Sequence, residues 1–428
     1  MSYDHKSLSE GLKSIYYTPS SAVADIVDNS LDAKSKNIDI YFWNGNPTYV
    51  AIIDDGCGMT NSDLENAIKI QKNASKQSNE SLGKFGWGLK TASFSQCKYL
   101  TILTKKNNLL SSVCLDSSLK KIDVTPENIF AKFKTLSRQF YNRVKENGTA
   151  IVWSDLNNQI LGKDILKNSK REHAIFYQVG VKIAEYSSIC FHNFLDNVNI
   201  YFNENLINKQ NPFFFVEGCK KYQSKEIILP GNRSVILEGI LYPREEDMDD
   251  RLYELIGGMD GWFDSQGIYI YREGRLIDFG GWFNLSINGA FPWKKEEKYK
   301  RVRVSIKYKS SLDDVFLPNV QKSRGVIPTF LRRQIAQYCD AIRKDCLLRP
   351  RSKGINQASN VITNEIIKET IFKKNNNKIY IDYQHPLVDE FLNKQMAKTK
   401  KELFLEKILN ELIENQKQNQ SFFRKIFK

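Results

Sequence analysis

The stretch "AVADIVDNSLDA", residues 22–33, sets three acids and an amide inside an apolar, helix-like run. Asp25, Asp28 and Asp32 stand at i, i+3 and i+7 with Asn29 at i+4, so the four share one face of a 3.6-residue helix. Val23, Ile26, Val27 and Leu31 spread over the remainder. The preceding "TPSS" offers Ser20 or Ser21 as a cap, which predicts a helix over 21–34, with another over 6–18. Downstream, "IDIYFW", the turn "NGNP" and "TYVAIIDDG" read as a β-hairpin. Residues 60–72 read as a helix, and 73–90 as a Ser-, Asn-, Lys- and Gly-rich mobile loop ending in a glycine cluster. "KYLTILT", "NLLSSVCLD" and "GTAIVWSDL" supply further strands. To about residue 160 the pattern is an α/β sandwich with hairpin-linked leading strands, unlike the alternating βαβ of a dinucleotide-binding fold.

The pattern restarts with the helical run "REHAIFYQVGVKIAEYSSIC" and the strands "NVNIYFN", "SVILEGILY", "GIYIYREGRLI" and "YKRVRVSIKY", followed by helix over 326–345. This gives a second α/β domain over 161–345. The polar segment "LRPRSKGINQASN" reads as a linker into a module over 346–428, with a hairpin around "KKNNNKIYIDY" and a helix in "KELFLEKILNELIENQ". The fold class is therefore α+β in three parts, as a chain of 428 residues is too long for one core.

No apolar run reaches membrane-spanning length, and "MSYDHKSLSEG" does not read as a signal peptide. Seven scattered cysteines without a CxxC pair read as reduced thiols of a cytoplasmic protein, with no structural zinc. The four dispersed histidines suggest no metal site. A formal charge of +14 favours a polyanionic partner, although a solvated basic surface has the same composition.

Three features carry chemistry. The first is the helix face of Asp25, Asn29 and Asp32. The second is "DDGCGM", 54–59, directly after a strand: Gly56 and Gly58 let backbone approach a flat ligand, and the Asp54 carboxylate can accept from an exocyclic amine. The third is "GKFGWGLK", 83–90, whose Gly83, Gly86 and Gly88 permit amides to converge on phosphate oxygens at a helix start. The Walker pattern GxxxxGK[ST] is absent. Oxygen ligands beside phosphates suggest Mg2+. Taken singly, each feature also has a plain reading as a solvated acidic face, an ordinary turn or a helix cap.

In order and spacing, "DIVDNSLDA", "DDGCGM", "GKFGWGLK" and "GTAIVW" resemble the motifs of the GHKL ATPases: gyrase, HSP-ninety chaperones, histidine kinases and MutL. "GKFGWGLKTASFSQC", "GIYIYREGRLIDFGGW" and "LPNVQKSRGVIP" look like the prokaryotic MORC-like branch, which joins this ATPase to an S5-type transducer domain. The resemblance covers about residues 10–340 and implies a Bergerat-type ATP-binding domain over 1–160. It implies that Asn29 holds Mg2+ on the triphosphate and that Asp54 bonds the adenine amine, with Asp32, Met59 and Thr149 completing the nucleoside pocket. Gly83, Lys84, Phe85, Gly86, Gly88, Leu89 and Lys90 would form the loop and lid over the phosphates. Lys322 corresponds to the transducer lysine that reaches the γ-phosphate. The family's general base is a Glu four residues before the Asn; here that position is Asp25, one methylene shorter, so slow hydrolysis is expected.

The resemblance further implies an ATP-dependent homodimer that closes on duplex DNA without sequence preference, in an anti-phage or restriction setting. "PWKKEEKYKRVRVSIKYK", 292–309, would supply phosphate contacts, or would be an amphipathic strand with a solvated basic face. The alternative is a chaperone-like or MutL-like scaffold gated by nucleotide. In that case the C-terminal module, 346–428, would be a place for protein partners.

Overall fold

The computed structural model describes residues 17–69, 88–157, 160, 169–258, 261–287, 289–316, 326–348, 372–375 and 378–381. Helix α1 (Pro19–Asp32) starts where Thr18 Oγ1 accepts from the Ser21 amide at 3.2 Å and a proline occupies the first turn, where its missing N–H costs nothing. Strands β1 (Asn37–Trp43) and β2 (Tyr49–Asp54) form the expected hairpin, Trp43 opposite Tyr49 and Ile38 opposite Asp54. Helix α2 (Asn61–Ile68) opens with a reciprocal Thr60–Asp63 cap. Helix α3 (Gly88–Phe94) leads into β3 (Cys97–Lys106), β4 (Leu109–Asp116) and the short β5 (Lys121–Ile122). Two helices that the sequence pattern did not announce follow, α4 (Pro126–Lys132) and α5 (Lys134–Arg143), before β6 (Gly148–Leu156).

Helix α6 (Ser169–Cys190) then brings the chain to β7 (Asn199–Phe202) and β8 (Asn205–Leu206). These strands join the first sheet, whose order is β5-β4-β3-β6-β2-β1-β7-β8. "NVNIYFN", expected in the second domain, thus pairs in parallel with β1, Asn37 beside Asn199. The physical reason lies in α6, whose Phe176 and Ile183 are buried in the same core as α1, and in Phe202, whose ring lies 5.6 Å from that of Phe42. On the α1 face the sheet presents Ile38, Ile40, Val50, Ile52, Ile102 and Trp153; on the other face Tyr49, Ala51, Ile53 and Val152 pack against Ile129, Leu136 and Phe140 of α4 and α5. Burial on both faces explains the nearly continuous apolar runs of β2 and β6.

The second sheet is built from β9 (Lys220–Leu229), β10 (Arg233–Leu241), β11 (Gly267–Arg272), β12 (Arg275–Phe279) and β13 (Val302–Tyr308), in the order β12-β11-β13-β10-β9. Two helices, α7 (Asp250–Gly257) and α8 (Gly261–Asp264), lie between β10 and β11, and α9 (Asp313–Phe316) follows β13. Helix α10 (Thr329–Leu348) sets Leu331, Ile335, Cys339, Ile342 and Cys346 against Leu237, Val304 and Ile306. Beneath the sheet, Arg272 and Asp313 form a buried two-pronged ion pair at 2.8 Å. A separate antiparallel hairpin, β14 (Phe372–Asn375) with β15 (Lys378–Ile381), pairs Phe372 with Ile381. Among the described residues no helix is long and apolar enough to cross a membrane.

The basic stretch 292–309 differs from the expectation of a free phosphate-binding cluster. Arg303 is buried and donates to the Pro212 carbonyl at 2.6 Å and to the Ile256 carbonyl, while Arg301 donates to the Tyr242 carbonyl at 2.9 Å. Lys295 pairs with Asp264, Lys298 with Glu296, Lys300 with Glu297 and Lys307 with Glu238. The alternation of "RVRVSIKY" is that of a strand buried on both faces, with Arg301 and Arg303 each donating to two backbone carbonyls.

Candidate functional site

Three neighbouring strands place three polar side chains in register on the α1 face: Thr104 of β3 lies opposite Thr149 of β6, which lies opposite Asp54 of β2. Alternation puts them on the same side as Ile102, Ile151 and Ile52, at the strand ends where the apolar ladder stops. Asp54 is buried and accepts from Ser30 Oγ at 2.9 Å and from the Gly56 amide at 2.9 Å. Burial pushes its carboxyl above the usual range, against those hydrogen bonds. The Thr104 hydroxyl accepts from the Met59 amide at 2.9 Å, and lies 3.1 Å from both the Gly148 carbonyl and Thr149 Oγ1.

The glycines of "DDGCGM" are required by this close packing. A Cβ at Gly56 would meet Ser35 Oγ at 2.7 Å, Ala33 Cβ at 2.8 Å and Asp54 Oδ1 at 2.9 Å. Gly58 has φ +60° and a Cβ there would strike the Lys105 carbonyl. The loop therefore lies flat across the end of α1 and the edge of β3, which brings Asp54, Gly56, Gly58, Met59 and Thr149 together.

On α1 the polar stripe runs from interior to surface. Asp25 is 3% exposed, Asp28 fully buried, Asp32 half-buried and Asn29 exposed. Asp25 Oδ2 accepts from the Tyr17 hydroxyl at 2.8 Å, and Asp25 Oδ1 from Arg275 Nη1 at 3.3 Å; the same nitrogen donates to Asp28. Tyr17 Oη lies 3.5 Å from Thr91 Oγ1 of α3. Burial and the Asp25 charge hold the Tyr17 hydroxyl well above its ordinary pKa, so it stays protonated as a donor. A Cβ at Gly88, the first residue of α3, would stand 3.8 Å from Asp25 Oδ2, so Asp25 faces the start of that helix.

Leu89 packs partly buried against the α1 core. Lys90 is buried, and its ammonium donates to the Lys69 carbonyl beyond α2 at 2.8 Å; burial pushes its pKa down to about 8. Here its contact is a backbone oxygen at the end of α2. Gly83, Lys84, Phe85, Gly86 and Lys322 lie outside the described residues. Sequence reasoning missed Tyr17, Ser30, Thr104 and Arg275. Ser30 was within reach, being adjacent to Asn29 on the helix; Arg275 is 250 residues from Asp25 and carries no local signal.

Residues 17–149 match the family described as "Histidine kinase-, DNA gyrase B-, and HSP90-like ATPase". They form a GHKL-type ATPase domain. Proteins similar to this chain include "ATPase morc-1" of Caenorhabditis elegans, 31% identical over 98 residues, which are 23% of this chain and 11% of that protein. "DNA mismatch repair protein MutL" of Thermoanaerobacter sp. (strain X514) is 33% identical over 98 residues, 22% of this chain and 16% of that one. The MutL of Carboxydothermus hydrogenoformans is 29% identical over 189 residues, 43% of this chain and 30% of that protein. The match thus spans less than a third of each of these relatives. The similarity to both is consistent with the MORC-like branch of the GHKL ATPases. A solved structure described as the "Crystal Structure of N terminal domain of a DNA repair protein" aligns with a TM-score of 0.43 and 15% identity, covering 77% of this chain and 95% of that one.

Proposed function

We propose that the GHKL domain binds Mg2+-ATP between α1 and the Asp54–Thr149 edge of the first sheet and hydrolyses it slowly. One observation carries the reading: a buried polar row, Asp54 beside Thr149 and Thr104, lies on the sheet face covered by a helix that presents Asn29 outward and Asp25 inward. Asp54 would accept from the adenine amine, with Gly56, Gly58, Met59, Asp32 and Thr149 around the nucleoside. The glycine-rich loop, Gly83 through Lys90, would close over the phosphates, and Lys322 would reach the terminal one.

Among the described residues no group of three or more His, Cys, Asp or Glu side chains is placed to hold a metal ion alone. The exposed Asn29 amide oxygen suits a Mg2+ whose other ligands are phosphate oxygens and water. When bound, that ion neutralises charge on the phosphates. Asp25 would orient water and take its proton. With both oxygens engaged by Tyr17 and Arg275, its direction is fixed, but it remains shorter than the glutamate of the family by one methylene. A displacement of that order costs roughly a hundredfold in rate, hence slow turnover.

The reading extends to three parts: an ATP-binding part beginning with residues 1–160, a transducer-like part to 345, and a module over 346–428. Nucleotide would close a homodimer on duplex DNA, in an anti-phage or restriction setting. A net charge of +14 supports this, as does likeness to proteins named for mismatch repair. The stretch 292–309 contributes less than its composition suggests, because Lys295, Lys298, Lys300 and Lys307 already have acidic partners. Such surface pairs are worth about 0–1 kcal/mol and exchange readily for phosphate.

The test is steady-state ATPase activity with and without duplex DNA, beside solution mass with a non-hydrolysable ATP analogue. The expected result is slow turnover abolished by Asp25→Ala with nucleotide affinity kept, DNA stimulation that falls with salt, and dimerisation on the analogue. Absence of nucleotide binding would overturn the site. Binding without dimer or DNA response would overturn the clamp and favour a scaffold acting on proteins.

A further inference from the structure

Arg275 opens β12 in the second sheet, yet its guanidinium sits between two acids of α1 in the first layer. It is fully buried, and its carbon lies 5.6 Å from the centre of the Phe191 ring. Beside it, Cys190 Sγ donates to the Leu276 carbonyl at 3.2 Å, which fixes β12 to the end of α6. None of the nucleotide motifs requires an arginine from this place.

The electrostatics give it a role. Asp25 and Asp28 are one turn apart on α1 and both inside the protein. Two buried carboxylates so close repel each other and favour uptake of a proton by one of them. A guanidinium between them removes that tendency. With all three groups ionised the trio carries a charge of −1. Asp28, fully buried, anchors Arg275; Arg275 in turn holds Asp25 Oδ1, while Tyr17 holds Oδ2. The direction of the Asp25 carboxylate is therefore set from the segment before α1, from α3 through Thr91 and Tyr17, and from β12.

We propose that Arg275 is a positioning residue for Asp25, through which the placement of the second sheet sets the orientation of the carboxylate that activates water. This rests on the reading of Asp25 as the base. A shift of β12 relative to α1 is then felt at the catalytic carboxylate directly, by a route separate from Lys322.

The experiment compares Arg275→Lys, which keeps the charge, with the charge-balanced pair Asp28→Asn/Arg275→Gln, which avoids leaving two buried acids without their cation. Full-length proteins are measured for thermal midpoint, affinity for a fluorescent ATP analogue, KM and kcat. In the pair, kcat should fall about tenfold to a hundredfold. KM and nucleotide affinity should stay within about threefold of the parent, an energy difference below about 0.7 kcal/mol. Arg275→Lys should recover part of kcat. A pair with parental kcat overturns the proposal, as does a loss of kcat, affinity and midpoint together without recovery by lysine. If the unaltered protein binds nucleotide without turnover, the assignment of Asp25 falls and this proposal with it. Turnover in the parent with an unaffected pair refutes the proposal alone.

Discussion

Thr104→Val removes one hydroxyl from the hinge of the candidate site and leaves its volume nearly unchanged. That hydroxyl accepts from the Met59 amide at 2.9 Å and lies 3.1 Å from both the Gly148 carbonyl and Thr149 Oγ1. Valine offers neither lone pair nor proton. The Met59 amide sits in the half-buried glycine loop, where an unmade hydrogen bond costs about 1–3 kcal/mol. The hydroxyl contacts to Gly148 and Thr149 contribute about 1 kcal/mol more. The sum is a loss of roughly 2–4 kcal/mol, read as a lower midpoint in urea at unchanged slope. Thr104→Ser keeps the hydroxyl and should lose less than half as much. Because the loop holding Met59 and the Thr149 hydroxyl are both released, affinity for ADP should fall about tenfold, equivalent to about 1.4 kcal/mol. A valine variant within about 0.5 kcal/mol of the parent, the ordinary scatter for a surface change, would refute the hydrogen-bond accounting. Lost stability with parental ADP affinity would instead separate this row from the nucleotide site.

Asn29→Ala should abolish Mg2+-dependent ATP binding without lowering the thermal midpoint, since Asn29 is exposed; calorimetric titration with and without Mg2+ reads both. His192 is buried with Nδ1 3.2 Å from the Ile189 carbonyl; burial, helped by Lys209 and Lys307 and opposed by Asp196, pushes its pKa down from 6.5 to about 4. Its stabilising effect is complete above about pH 6.5 and is lost as pH falls towards 4, on the order of 3 kcal/mol in all, so His192→Gln should flatten urea midpoints over that range.

Helix α1 and the β1–β2 hairpin were legible because their signals are local, 3.6-residue spacing in the one and an Asn-Gly turn between β-rich runs in the other, although the cap is Thr18 before Pro19 and not the expected Ser20 or Ser21. Helices α4 and α5 were not, because each buries only one or two apolar residues, Ile129 in the first and Leu136 with Phe140 in the second, too few to set a period. Strand β9 escaped for a related reason. It is a mostly exposed edge, held by its ladder with β10 rather than by an apolar face. In the site, Asp54, Gly56, Gly58 and Met59 could be grouped from one short motif. Thr104 could not, because its link to Thr149 depends on which strands are neighbours and in what register. The same holds for Arg275, whose partners lie 247 and 250 residues away. For the cationic stretch 292–309 composition left a phosphate-binding face and an amphipathic strand both open, because composition counts charges, whereas the fold decides which of them already have partners.

The parallel pairing of β1 with β7 has a consequence for biosynthesis. Asn37 and Asn199 are 162 residues apart, so the outer edge of β1 has no strand to join until the ribosome has released the chain beyond residue 202. At about 5–20 residues per second that is a wait on the order of ten seconds. During it, the open edge is exposed to pairing with other nascent chains. The nascent polypeptide therefore has a defined interval of vulnerability, which ends when α6 delivers β7. Trigger-type holding factors, synonymous codon changes and slow elongation before residue 199 should all act on yield through that interval.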